Sequence, residues 1–330
     1  MLTPRENLIE TIRGGKPERF VNQFEFMQLS FTDPYSYTNP VPYFPGDEDK
    51  TDYWGVTWTF PEGNPGMFPV HDAEHIVLKD ITRWREFVKA PSLDFPEEMW
   101  AEAKAEYDAC DRNESFIGPI IFPGIFEQLH SLMGMEGALC AFYENPKEMH
   151  ELIDYIADWE CAYVKLLTDR LQADTVLHHD DWGSQTSTFM SPKMFKEFLL
   201  EPYKRMYRSF HESGIELIVH HSDSYAATFV PYMIEMGIDI WQGATKSNDL
   251  PALIKQYGGQ ISFMAGIDSA EVDRFDWSRE KIAEAVRWVG ENCGKRYIIP
   301  CQTTGGPGSN FEGVYDTISE EIEKLSKEMF

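Results

Sequence analysis

Ile215-Glu-Leu-Ile-Val-His-His-Ser-Asp-Ser-Tyr225 is the stretch that decides how this chain is read. Ile215 to Val219 form a short run of aliphatic and β-branched residues, which favours a buried strand. The run passes directly into two histidines, a serine and an aspartate. The same grammar recurs at Val176-Leu-His-His-Asp-Asp181, Ile238-Asp-Ile-Trp-Gln242 and Tyr297-Ile-Ile-Pro-Cys-Gln302. Hydrophobic strands that each end in proton-transfer or metal-binding side chains are what an α/β barrel presents at its catalytic mouth.

Working outward, the second half alternates strands and helices: strands over 174–179, 215–220, 238–241, 261–265 and 296–300, with helices between them. That alternation predicts a parallel sheet. Two earlier strands are expected at 20–26 and 116–122, and an eighth within the irregular first third. No GxGxxG follows an early strand, so the expected fold class is α/β, a (β/α)8 TIM barrel, rather than a doubly wound open sheet. One barrel domain is expected to span 1–330. Residues 33–72 are rich in Pro, Gly, Tyr and Trp and lack helical periodicity. They read as an aromatic, Pro-rich lid inserted near the N-terminus. Thr3-Pro-Arg-Glu6 has the pattern of a capped helix start, and 80–112 reads as one amphipathic helical stretch.

The 330 residues carry a formal charge of −26. That argues against binding nucleic acid or an anionic membrane surface, where clustered Lys and Arg are needed, and it fits badly with a polyanionic substrate. No apolar run is long enough for a membrane span, and the first residues lack a signal-peptide pattern. Five scattered cysteines form no CxxC pair, so a reducing, cytoplasmic setting is expected.

In a barrel the strand ends converge, so His178 to Asp181, His220, His221, Asp223, Trp241, Gln242, Asp268, Cys301 and Gln302 are candidates for one site. Histidine, carboxylate and thiolate are zinc ligand types; His221, Asp223 and Cys301 form a candidate set. Set against that, buried histidines and a buried cysteine are commonly no more than hydrogen-bonded core residues, and Asp180 and Asp181 could simply cap a segment. The turn Thr303-Thr-Gly-Gly-Pro-Gly308 is either an anion-binding loop or a plain barrel turn, with the plain turn favoured.

Several motifs together resemble one family. Thr3-Pro-Arg-Glu-Asn-Leu8, Gly15-Lys-Pro-Glu-Arg19, Asp52-Tyr-Trp-Gly-Val-Thr-Trp58, Gly124-Ile-Phe-Glu-Gln-Leu-His130, Asp180-Asp-Trp-Gly-Ser-Gln185 and Ser191-Pro-Lys-Met-Phe195 look like the uroporphyrinogen decarboxylase superfamily. The likeness is to its corrinoid-dependent methyltransferase branch, and it spans essentially the whole chain. It implies a barrel with the active site at the strand C-terminal mouth. The decarboxylases' N-terminal arginine-rich segment is missing, since Phe24-Glu-Phe-Met-Gln-Leu29 carries no arginine. In the thiol-methylating members zinc is held by a His-x-Cys pair and a later Cys. Those positions fall here on His221, Asp223 and Cys301, so Asp223 replaces the first thiolate and hardens the site toward oxygen.

What the resemblance implies is an O-demethylase component. It would move methyl from a small methoxylated compound, an aryl methyl ether, to cobalt(I) of a corrinoid (cobalamin) carried by a partner protein. Zinc is the expected metal. Asp181 and His179 are assigned to orienting or protonating the leaving oxygen, with His221 beside them. Trp54, Trp58, Trp241, Gln242 and His220 are assigned to substrate. A homodimer is an open expectation. The alternatives are a uroporphyrinogen-type decarboxylase or other lyase, a methylcobamide:thiol methyltransferase, and a barrel that binds without catalysing.

Overall fold

The structure is a computed structural model describing residues 1–64, 66–306 and 310–330. Pro65 of the aromatic segment and the end of the turn at Thr303–Gly308 lie outside the described residues. The strands are β1 (Met27–Ser30), β2 (Lys50–Thr51), β3 (Thr57–Thr59), β4 (Phe68–Pro69), β5 (Phe116–Ile121), β6 (Thr175–His179), β7 (Leu217–His221), β8 (Ile240–Gln242), β9 (Ser262–Ile267) and β10 (Ile298–Gln302).

Seven of them form one sheet in the order β1-β5-β6-β7-β8-β9-β10, and every neighbouring pair is parallel. Strands laid down in strict chain order wind in one direction, as in a TIM barrel, whereas a doubly wound sheet reverses at a switch point. The sheet curls: Gln23 N–H, just before β1, donates to Pro300 O on β10 at 3.3 Å. Among the described residues no eighth strand joins this sheet. The irregular first third instead holds a separate antiparallel sheet, β2-β3-β4. The first strand begins at Met27 rather than at 20, because Gln23 has φ +50, a left-handed bend a continuous strand cannot hold.

Side chains alternate across each strand. Leu177, Val219, Ile240, Met264, Ile299 and Cys301 pack together inside the curl. Their neighbours Val176, Ile218, Trp241, Phe263 and Ile298 pack outward against the helices. The stretch 80–112 is not one helix. It breaks into short turns at Ile81–Arg83, Trp84–Phe87 and Glu97–Trp100 before a helix at Ala101–Ala109, since Pro91 and Pro96 interrupt it. Trp84 and Trp100 are buried, but Phe87 is exposed.

Candidate active site

β6 and β7 lie side by side in register, His178 opposite His220 and His179 opposite His221. Alternation therefore sends the two pairs to opposite faces. His179 and His221 face the mouth with rings stacked 4.3 Å apart. His178 and His220 face the helices and are fully buried.

Around the inward pair three carboxylates converge. Ligand atoms of Glu127, His179 and Asp181 lie within 4.8 Å of one another, as do those of Asp181, His221 and Asp223. Asp181 is common to both groups. Its Oδ1 accepts from Ser222 Oγ at 3.0 Å and from Asp223 N–H at 2.9 Å, which fixes the loops after β6 and β7 against each other. Glu127 Oε2 meets His179 Nδ1 at 2.8 Å.

His221 Nδ1 meets Gln242 Oε1. The Gln242 amide nitrogen donates to Gln302 O at 3.1 Å, so its oxygen must be the acceptor and His221 Nδ1 must carry the proton. The Nε2 lone pair of His221 is thereby left for the cluster, the usual preparation of a metal-binding histidine.

Glu127 is placed by a buried capping carboxylate. Asp180 accepts from Phe126 N–H at 2.9 Å and Glu127 N–H at 2.8 Å, at the start of helix Ile125–Met133. Trp182 Nε1–H at 3.1 Å and the Tyr203 hydroxyl complete its set of donors. Gly124 precedes this helix because any Cβ there would sit 2.6 Å from Asp180 Cβ and 2.7 Å from His178 Cε1. Asp180 is thus a cap, though for a helix fifty residues upstream rather than for the next segment.

The cluster's charge is set by burial first and by neighbouring charges second. Burial, then the neighbouring Asp181, holds the Glu127 carboxyl well above the usual range. The same two causes in the same order raise Asp223. Burial, then the adjacent His179, depresses His221. Neutral or metal-bound forms are favoured over bare charges.

The cluster opens on a cavity of about 1080 Å³, walled by Trp58, Met67, Phe68 and Phe122. The Phe122 ring meets His179 edge-on at 4.9 Å, and Trp58 packs on Phe122 at 5.5 Å. Trp54 does not reach this chamber; it lines an adjoining cavity.

Three sequence-based assignments are corrected by this geometry. His220 does not face substrate: Tyr207 OH meets its Nδ1 at 2.9 Å, and Trp182 stacks on it at 4.1 Å. The same hydroxyl contacts His178 Nδ1 at 3.1 Å, and His178 Nε2 meets Glu160 at 2.7 Å. Trp241 is no aromatic wall, because β8 turns it outward, where its Nε1–H donates to Ser222 O at 3.0 Å. Cys301 belongs to neither ligand group among the described residues. It lies in the apolar interior beneath the cluster, where burial pushes its thiol far above the usual range. Asp181, not Cys301, is the third residue grouped with His221 and Asp223. Asp268 caps a short helical turn, accepting from Ala270 N–H at 3.0 Å.

Glu127 was not singled out from the sequence, although the motif Gly124–His130 contains it. The missing signal was that the motif's helix begins at the barrel mouth. Asp52, in another of the motifs, also gains a reason. Its carboxylate accepts from Trp54 N–H and Val56 N–H, each at 2.9 Å, and from Trp58 Nε1–H at 2.8 Å. One buried carboxylate thus shapes the aromatic hairpin.

The family description uroporphyrinogen decarboxylase (URO-D) matches residues 115–299, more than half of the chain and the part carrying every residue of this cluster. The chain belongs to the uroporphyrinogen decarboxylase family. Among solved structures, a methyltransferase from Methanosarcina mazei is similar at a TM-score of 0.68 and 12% identity, over 98% of this chain and 99% of that one. A putative vitamin-B12-independent methionine synthase from Listeria monocytogenes gives 0.46 and 10% identity, over 74% of this chain and 73% of that one. At such identities the first likeness speaks for the fold. No curated protein matches the sequence. Among the described residues no helix is long and apolar enough to cross a membrane.

Proposed function

We propose that this family member is a methyltransferase, taking a methyl group from a small methoxylated compound, an aryl methyl ether, for transfer to cobalt(I) of a corrinoid on a partner protein. The observation that carries the reading is the composition of the chamber. A histidine–carboxylate cluster sits at the end of an aromatic cavity, and no Lys or Arg lines that cavity or its neighbour among the described residues. A porphyrinogen bearing many carboxylates would find nothing there to neutralise it. A neutral ether would fit.

The reaction is a displacement at the methyl carbon. The carbon–oxygen bond breaks with its electron pair left on oxygen, while the acceptor's pair forms the new bond to carbon. Charge developing on that oxygen is what the site must stabilise. His179, backed by Glu127, presents Nε2 to the chamber and can hold or deliver the proton that the departing oxygen takes. The donor set also fits a divalent metal such as zinc: Asp181, His221 through Nε2, and Asp223 would hold it. A cation would offset the burial and, after it, the like charge of Asp181 that raise Asp223. Such a metal supplies Lewis-acid stabilisation of the oxygen.

Segment 33–72 would serve as the lid. Phe31, Phe44 and Phe311, exposed along the cavities, would meet the corrinoid protein.

The test is anoxic mixing of the protein with chemically reduced cobalamin and a panel of methoxylated aromatics, followed in the visible spectrum. Donor- and protein-dependent conversion of cobalt(I) to methylcobalt(III) supports the reading. No conversion with any donor, with a corrinoid protein also supplied, transfers support to a lyase.

A further inference from the structure

Helix Ile125–Met133 turns more than Glu127 toward the chamber. Residues three and four apart share a helix face, and Glu127, His130 and Ser131 all line the same cavity. Ser131 offers it no free atom: its hydroxyl is sealed from solvent, and its carbonyl meets His71 Nε2 at 3.3 Å. His130 closes the motif Gly124–His130, and the proposed reaction leaves it without a task.

The His130 ring is braced but not engaged. Phe126 meets it edge-on at 5.4 Å, and Phe126 is itself backed by Phe189 at 6.0 Å. Among the described residues neither ring nitrogen of His130 has a hydrogen-bond partner. Nor is either of them one of the unpartnered side-chain atoms shut away from solvent, and the residue is only partly buried. Both nitrogens are therefore open to a molecule in the chamber.

Burial, then the neighbouring His71, pushes the His130 ring down to about 4, against the opposite pull of Asp181. Near neutral pH it is an uncharged imidazole with one N–H donor and one lone pair. Such a group suits a hydroxyl or ether oxygen and offers no charge to a carboxylate. His130 belongs to neither group of converging ligand atoms, and it stands one helical turn, about 5 Å of rise, beyond Glu127. The oxygen that departs at the cluster is thus not the one that meets His130. A second oxygen is.

We infer that His130 is a specificity-determining residue: its ring hydrogen-bonds a second oxygen substituent, hydroxyl or alkoxyl, on the methyl donor, and so selects rings with two oxygens over simple anisoles. This deepens the proposed reaction and rests on it only in taking the bound ring as the methyl donor.

The test is equilibrium binding read by tryptophan fluorescence, since Trp58 walls the chamber. The probes are the three positional isomers of methoxyphenol, each paired with the methylanisole of the same pattern, which matches its size without the second oxygen. The best-bound methoxyphenol should be preferred over its methylanisole by about 5-fold. In His130→Phe, which keeps a ring against Phe126 and removes both nitrogens, that ratio should fall to about one. His130→Gln, which keeps a donor and an acceptor, should retain part of it. If His130→Phe fails to fold, His130→Leu takes its place with the same expectation. A wild-type ratio near one for every isomer, a ratio unchanged in a folded His130→Phe or His130→Leu protein, or failure of every ring to bind overturns the inference. A His130-dependent ratio in binding without methyl transfer to reduced cobalamin refutes the reaction and leaves the inference standing. Methyl transfer that shows no preference for a second oxygen does the reverse.

Discussion

Replacing Asp180 with alanine should destabilise the protein and disarm the site together. The carboxylate accepts from Phe126 N–H, Glu127 N–H, Trp182 Nε1–H and Tyr203 OH, and all four residues are buried. Asp180→Ala leaves those donors without an acceptor, at about 1 kcal/mol each at the low end of the usual range, or about 4 kcal/mol. Removing a buried carboxylate also recovers about 1 kcal/mol of desolvation, so the expected net loss is about 3 kcal/mol. With a urea slope of about 3 kcal/mol per molar, the midpoint falls by about 1 M. Asp180→Asn, which keeps an acceptor for only one of the two backbone amides because they bond different carboxylate oxygens, should fall between. Methyl transfer should drop in both variants as Glu127 loses its anchored backbone. A midpoint within about 0.3 M of wild type at unchanged slope would show that Asp180 does not hold the helix start, and the account of Glu127 placement would go with it.

Gln242→Leu removes the acceptor that fixes His221 Nδ1–H, so zinc affinity, measured by competition with a chromophoric chelator, should fall on the order of 10- to 100-fold; unchanged affinity would remove His221 from the ligand set. Cys301→Ala should keep both metal content and methyl transfer, losing about 1 kcal/mol of stability from the interior. Loss of metal in a folded Cys301→Ala protein would restore the thiolate to the site. Folding raises the Asp223 carboxyl above the usual range, so the folded state binds more protons than the unfolded chain over the interval between the two values. Its contribution therefore grows more unfavourable as pH rises through that interval. In the presence of EDTA, Asp223→Asn should gain in urea midpoint relative to wild type as pH rises above the ordinary carboxylate range, and a parallel pH dependence of the two proteins would contradict the raising of Asp223 by burial and by Asp181.

How much was legible in the sequence can be followed residue by residue. The alternation of strands and helices, and the clustering of polar residues at strand ends, come from local composition, and both survive in the parallel sheet and its mouth. The assignment of His179, Asp181, His221 and Asp223 to one place needs only that adjacent parallel strands end together. The period-two rule could also have separated His220 from His221 and Trp241 from Gln242: the strand interiors Val219 and Ile240 share the inward face with His221 and Gln242. Pairing two histidines in sequence obscured it.

Other features were not local. Glu127 reaches His179 because a helix fifty residues earlier starts at the mouth, capped by a carboxylate from β6's own end. Cys301 sits at a strand end, yet curvature and depth leave it in the apolar interior, beneath the histidine–carboxylate cluster. Gln23 bends the chain before β1, which shortened the first strand, and the aromatic segment paired with itself instead of supplying an eighth. Hydrophobic period and strand-end chemistry are carried by neighbouring residues, so the sequence by itself determined the parallel α/β class and the gathering of histidines and carboxylates at the strand ends. Which carboxylates complete the cluster depends on distances between elements far apart in the chain. Only the packed tertiary structure decides those.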